Sequence, residues 1–350
     1  MYTYQTNTEN ELPDFGFKIH ISSTISNYNF IIEKTIQILN RLQCTYKYIS
    51  EYDALFHNLS IYEDPSESGK VITIYPTDRQ NCIDILEILY DQLPKNLNGV
   101  YILSDRPYKD SNFIFYRYGC INLKDGNKMT LPTLTGPDGE IWVDKQRNYY
   151  DIPSWISDIQ DPILFCKSHL AESYEVTDVL KYSNGGNIYK AIEKDSGLQV
   201  VLKESRPNIL VTDNISKEKL RKNEYDIYYS LHPHHRNVLS EWINSYFIYD
   251  YIPGISLKSL TQRSGIYSFT NNSRSNYRKF YQFLESIHSL LECVSQYHLN
   301  NIILNDIHCD NFIVDKQNKI HFIDLEASYK EGNKCDFTID NPIAKKEWSI

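Results

Sequence analysis

Cysteine is sparse and unpatterned in this chain of 350 residues. Cys44, Cys82, Cys120, Cys166, Cys293, Cys309 and Cys335 form no CxxC pair. Their odd number excludes a complete disulfide framework, and their scatter gives no zinc-cluster signal. Free thiols in a reducing cytoplasm are therefore expected. No apolar run approaches the roughly 20 residues of a membrane-spanning helix. The start, MYTYQTNTENELP, lacks the basic-then-apolar order of a signal peptide. Basic excess is missing too: the formal net charge is −9. That argues against nucleic acid or an anionic membrane as a general partner, while leaving room for a local cationic pocket.

What is present fits two domains of ordinary composition, 41% hydrophobic and with 29 Tyr. In the first half, Phe17–Ser23 (FKIHISS) alternates as a half-buried strand does. A helix is expected over about 24–43, capped by Ser23 or Thr24. Further strands are expected at 45–50, 71–76, 99–104 and 113–119, with a helix over 80–93 stopped by Pro94. Residues 132–164, rich in Pro, Gly and Asp, read as an irregular wrap and linker. The expected fold class is α+β. The second half restarts with strands at 187–193 and 199–204, a helix at 216–231 and a strand at 246–251. A helix at 277–298 and short strands at 311–314 and 319–323 follow.

Six features of that second half stand in the order of a protein-kinase nucleotide site. Gly185-Gly186 lies between two expected strands, where backbone N–H groups can approach phosphate, although the full GxGxxG is lacking. Lys203 ends an apolar strand and can meet the α and β phosphates. Glu224 on the next helix can pair with it. Asp250 and Ile252 lie in a hinge-like segment whose backbone can meet the base. Asn305–Phe312 (NDIHCDNF) carries the strongest signal. Asp306 and Asn311 have catalytic-loop spacing, and Asp324 follows at the end of another apolar strand. Asn311 and Asp324 are hard oxygen ligands suited to Mg2+. Asp306 would take or orient the substrate hydroxyl proton. His308 can contact the transferred phosphate. Asp324-Leu325-Glu326 departs from Asp-Phe-Gly, which argues against a conventional activation-loop switch. The expected cofactors are ATP or GTP with Mg2+.

In the first half, Lys18 and His20 share one strand face, and FGFKIHISST, YKYIS, SGKVITIYP, YILSDRPY, FYRYG and GPDGEIWVDKQRNYYDIPSW follow in order. On these motifs the first 165 or so residues resemble the phosphoserine/phosphothreonine lyase domain of class III and IV lanthipeptide synthetases. The second half resembles the kinase domain of the same enzymes. The resemblance implies a lyase-like domain over 1–165. It also implies a kinase-like domain over 166–350, with an N-lobe at about 175–252 and a partial C-lobe at 253–350. It further implies Ser/Thr phosphorylation of a precursor peptide followed by phosphate elimination to a dehydroamino acid. Lys18 matches the base and His20 the acid, with Lys47, Lys70, Arg106 and Arg117 as the phosphate cradle. Glu67 and Ser68 stand where the family often has another Arg, so Arg147 is a candidate replacement. The family's cyclase is not found before Ile350. A fragment, a shortened enzyme with a separate cyclase, and a non-catalytic peptide-binding copy are three expectations, with a stand-alone kinase as a fourth.

Overall fold

The computed structural model describes residues 1–7, 11–122, 131–161, 168–232, 238–241, 243–264 and 273–332. The expected boundary at 165/166, Cys166, Cys335 and residues 333–350 lie outside the described residues. The chain divides into two compact units. The first comprises Met1–Ser168 with Lys181–Asn187 and Arg206–Glu218; the second comprises His169–Leu180, Ile188–Ser205 and Lys219–Ile350.

The first unit opens with β1 (Tyr2–Gln5), β2 (Phe15–Ile21), α1 (Tyr28–Arg41), β3 (Thr45–Ile49) and α2 (Tyr52–Asn58). It continues with β4 (Ile72–Tyr75), α3 (Arg79–Gln92), β5 (Arg106–Pro107), β6 (Ile114–Cys120) and a hairpin of β7 (Thr133–Thr135) and β8 (Ile141–Val143). Six strands form an antiparallel sheet in the order β1-β3-β4-β2-β6-β5. Period-2 alternation gives this sheet two different faces. Ile19 lies opposite Ile74 and Tyr116, and Ile21 opposite Ile72 and Ile114. These residues join Ile31, Ile38 and Leu39 of α1 and Cys82, Ile85, Leu86 and Leu89 of α3 in one core. Each large aliphatic side chain buried there contributes roughly 1.5–3 kcal/mol. The other face carries Lys18, His20, Lys47 and Arg117.

Helix α1 starts later than expected. Its N-cap is Asn27, without a side-chain cap bond. Residues 24–27 form a turn in which the Thr24 N–H donates to Asn27 Oδ1 at 2.8 Å. Ser22 and Ser23 are instead buried at the end of β2, where Ser22 Oγ donates to Val100 O at 2.6 Å. Segment 99–104 is not a strand. It meets β2 through single bonds such as Val100 N–H to Ser23 O at 3.2 Å, then turns through Asp105 N–H to Ile102 O. Helix α3 is capped by the Asp78 carboxylate and ends where Leu93 turns extended before Pro94.

Beyond Ser168 the chain forms α4 (His169–Ser173), β9 (Tyr174–Lys181), β10 (Ile188–Glu193), β11 (Gln199–Ser205), β12 (Leu210–Thr212) and β13 (Ile215–Ser216). Next come α5 (Lys217–Leu231), β14 (Leu239–Glu241), β15 (Asn244–Asp250), β16 (Gly254–Ser256), α6 (Leu257–Ser264) and α7 (Ser273–Leu299). The last described elements are β17 (Ile302–Ile303), a short 3-10 turn (Cys309–Asn311), β18 (Phe312–Asp315), β19 (Ile320–Phe322) and β20 (Tyr329–Lys330). Within the second unit, β14-β15-β11-β10-β9 form one sheet and β16-β18-β19 another. Phe312, Val314, Ile320, Phe322 and Leu325 build a core with Leu257, Cys293 and Ile227. Helices and strands are thus mixed in an α+β chain. Among the described residues no helix is long and apolar enough to cross a membrane.

Two segments from the second half of the sequence belong to the first unit. Leu210 exchanges backbone bonds with Leu59 and Ile61 at 2.8 and 2.9 Å, and Ile209 and Leu210 enter the first core. Asn184 Nδ2 donates to Ser60 O at 2.7 Å and to Ser68 Oγ at 2.9 Å. The buried Arg206 guanidinium binds Asn184 O at 2.9 Å and Tyr101 O at 2.7 Å.

Candidate active sites

The polar face of the first sheet gathers most of the expected lyase residues. Lys18 on β2 lies directly across from Arg117 on β6. His20 lies across from Thr73 of β4, and Thr73 lies across from Lys47 of β3. Lys70 enters the same neighbourhood from the turn before β4. Gly69 makes that turn possible: its φ is +89°, and an added Cβ would sit 2.9 Å from Val100 O. Lys70 is buried, has Nζ 3.2 Å from Glu67 Oε1, and exerts its charge on Lys18, His20 and Asp105.

This burial of like charges reshapes the titration of the site. Burial lowers the Lys18 ammonium to about 8, helped by the Arg117 charge and opposed by Asp144. Its Nζ donates to Cys120 O at 2.9 Å. Burial also takes His20 down to about 4, against the pull of Asp105. The His20 Nδ1 lies 2.5 Å from Asp105 Oδ2. Burial by itself would raise the Asp105 carboxyl. His20, Lys70 and Arg117 overcome it and hold that carboxyl well below the usual range. At neutral pH His20 is therefore a neutral ring whose Nδ1 proton is held by the Asp105 carboxylate, which leaves Nε2 basic. Lys47 is lowered by burial, with Lys70 adding to the effect, and its ammonium sits 4.8 Å over the Tyr2 ring.

Arg117 is oriented by Asp144, an ion pair buried on both sides. The second oxygen of Asp144 accepts the Cys120 N–H at 2.7 Å. Gly119 allows this approach, since an added Cβ would stand 2.7 Å from Asp144 Oδ2.

Arg106 stands apart from the other expected cradle residues. It pairs in register with Tyr116, whose ring lies on the core face, opposite to Lys18 and Arg117. Its guanidinium is taken up by Asp158 at 2.5 Å, Gln160 O at 3.0 Å and Asp161 O, fastening the 158–161 segment. Arg147 is also committed elsewhere, with Nε 3.4 Å from Asp151 on the surface.

In the second unit, Lys203 of β11 and Glu224 of α5 form a buried ion pair. Lys203 Nζ also donates to Ile323 O at 3.2 Å and lies 5.2 Å from the Tyr249 ring centroid. Burial raises the Glu224 carboxyl, Asp324 and Glu326 push the same way, and Lys203 and Arg221 oppose them. Glu224, Asp324 and Glu326 each offer an oxygen within 4.8 Å of the others. Asn311 Nδ2 donates to both Asp306 O and Asp306 Oδ2 at 3.0 Å. That bond turns the amide nitrogen to Asp306 and leaves the amide oxygen as the face offered to a cation. Asn311 and Asp324 carry hard oxygens of the kind Mg2+ takes, and Glu224 and Glu326 lie near the Asp324 carboxylate.

His308 accepts the Asp310 N–H at Nδ1, so its ring proton is on Nε2, 3.6 Å from Asp306 Oδ2. His308 therefore leans on Asp306. Asp250 closes β15 opposite Val200, and Ile252 follows half-buried.

The Gly185-Gly186 turn lies in the first unit. Its N–H groups are already engaged: Gly185 with Ser183 Oγ at 3.2 Å and Gly186 with Ser183 O at 3.1 Å. Sequence reasoning passed over Asp105, Asp144 and Arg221. The last had a local signal, since it precedes Glu224 by three residues on one helix face.

The described residues of this α+β chain thus place a cationic, carboxylate-oriented cluster on one sheet and a Lys–Glu, Asp–Asn constellation in the second unit. Comparison with known proteins gives two likenesses. Residues 1–172 match the protein family described as RamC, N-terminal domain. The chain is 26% identical over 357 aligned positions to the protein named "Probable SapB synthase" of Streptomyces coelicolor. That alignment covers 95% of this chain and 37% of the relative, so the chain spans little more than a third of the relative's length.

Proposed function

We propose that this chain dehydrates Ser and Thr residues of a precursor peptide in two steps, phosphorylation in the second unit and phosphate elimination in the first. The observation that carries the elimination step is the shared face of Lys18, His20 and Arg117, with Asp105 and Asp144 fixing the latter two. Phosphorylation is supported by the buried Lys203–Glu224 pair and the Asp306–Asn311 contacts.

In the first step Lys203 steadies the nucleotide phosphates and Asp306 takes the proton of the attacking hydroxyl. Asn311 and Asp324 would hold Mg2+, which supplies charge neutralisation at the transferring phosphate. ATP or GTP serves as the donor. The glycine turn has no part in this account, because its N–H groups are engaged within the first unit.

In the second step Lys18, as the neutral amine, removes the α proton. The electron pair of that C–H bond becomes the Cα–Cβ double bond, and the Cβ–O bond breaks with its pair going to phosphate. Arg117, Lys70 and Lys47 supply positive charge for the departing group. A phosphate dianion beside Nε2 raises the proton affinity of His20, so the ring takes up a proton at Nε2 from solvent as the substrate binds and gives that proton to the leaving oxygen. Asp105 holds the ring throughout. The related "SapB synthase" name fits a peptide-modifying role.

A synthetic phosphothreonine peptide tests elimination alone. The protein should release inorganic phosphate without nucleotide and leave a peptide lighter than the unphosphorylated form by one water. Recovery of intact phosphopeptide at high enzyme concentration refutes the elimination assignment and favours a peptide-binding module.

A further inference from the structure

We infer that Arg221 is a positioning residue of the nucleotide site and that Glu326 anchors it. This rests on reading the second unit as a nucleotide site. Arg221 lies one helical turn before Glu224 on α5 and is 3% exposed. Its Nη1 meets the Glu326 carboxylate and stands 3.4 Å from Glu224 Oε2. The other oxygen of Glu224 faces Lys203. Glu224 is thus held from two sides, by Lys203 from β11 and by Arg221 from its own helix.

Neighbouring contacts point the same way. Asn223 Nδ2 donates to Glu326 O at 3.1 Å and to Ser328 O at 2.8 Å. The Leu325 N–H lies 3.4 Å from Glu224 Oε1. Three side chains in sequence on α5 therefore strap it to residues 325–328, the segment that follows Asp324. Helix α5 cannot swing away from Lys203 without breaking the Arg221–Glu326 contact.

The charge balance explains why an arginine is needed. Three carboxylates converge here, and Lys203 and Arg221 are the cations that contact them. Arg221 meets both the Glu224 and the Glu326 carboxylates through the same Nη1. With Glu326 held by Arg221, Lys203 is left to Glu224 and the phosphates. The consequence is a helix docked in its working position by a buried pair within the fold, with no ordering of a separate loop required.

The test uses the full chain carrying Arg221→Met with Glu326→Met, Glu326→Gln, and Arg221→Lys. Replacing a buried ion pair by apolar side chains is often tolerated by the fold. The double variant should keep a melting temperature near wild type while kcat for peptide phosphorylation falls about 10–100-fold, the order expected for a displaced positioning group. Binding of a non-hydrolysable nucleotide with Mg2+ should change less than about threefold by calorimetry. Amide exchange across Lys217–Leu231 should rise, and Arg221→Lys should recover part of kcat. Wild-type kcat in the double variant and in Glu326→Gln overturns the inference alone. Failure of the wild-type chain to bind nucleotide overturns the nucleotide-site reading and the inference with it.

Discussion

The ionisation of Lys18 is the most exposed part of the elimination mechanism. An ordinary lysine, near 10.5, is neutral in only about one molecule in 3,000 at pH 7; held at about 8, it is neutral in about one in ten. Burial is the main cause, and two neighbours act with opposite sign: Arg117 lowers Lys18 and Asp144 raises it. Removing each neighbour should therefore move the titration in opposite directions. Arg117→Met takes away a cross-strand like charge and leaves the Asp144 carboxylate without its cation, which should raise the midpoint by about one unit or more. Asp144→Asn leaves Arg117 unopposed and should lower it below 8 by a similar amount. The Cε resonance of 13C-labelled lysine, assigned to Lys18 by its loss in Lys18→Met, reports this midpoint directly. Both substitutions also disturb one buried ion pair, so mere loosening of the site would let in water and raise the midpoint in both variants. Shifts of the same sign, or a wild-type midpoint near 10.5, refute the reasoning.

Other outcomes follow from the same geometry. Lys18→Ala should stall precursor processing at phosphopeptide, whereas Asp306→Asn should prevent phosphopeptide from forming; dehydration that persists in Lys18→Ala would show that another group is the base. Arg106→Ala should cost about 3 kcal/mol in urea unfolding by stranding Asp158, while the folded protein keeps its elimination rate within about threefold. Loss of elimination without loss of stability would place Arg106 back in the cradle. Gly119→Ala should push Asp144 off Arg117 and raise the KM for phosphopeptide about tenfold, the scale of one charge-assisted bond, with kcat less affected.

The polar face of the first sheet was legible because alternation in FKIHI decides which side chains share a face. Lys18 and His20 followed from that period, and so did the apolar face beneath them, whereas Arg117 came from the family resemblance. Asp105 and Asp144 were not legible. They reach the site from loops far along the chain, and only the tertiary fold brings them to His20 and Arg117. The face of Arg106 was hidden for a related reason: β5 is two residues long, too short for alternation to reveal it, and the pairing with Tyr116 shows it. The glycine pair had a turn's composition, as expected, but composition carries no information about which unit a turn packs on. Asn184 and Arg206 settle that through buried side-chain bonds. The start of α1 shifted because Ser23 is buried with its carbonyl bonded to the Val100 N–H, and Thr24 is taken into the turn with Asn27. In the second unit the spacing of Asp306 and Asn311 fits the contact between them, whereas the strap between α5 and Glu326 depended on long-range packing.

The central claim is that one chain first adds and then removes phosphate on the same peptide. Mass spectrometry over time of a Ser- and Thr-containing precursor, incubated with this protein, nucleotide and Mg2+, tests it most directly. The account predicts a transient gain of one phosphate per site, followed by a net loss of one water per site relative to the starting peptide. Phosphopeptide that accumulates without loss of water, or water loss in the absence of nucleotide, would contradict it.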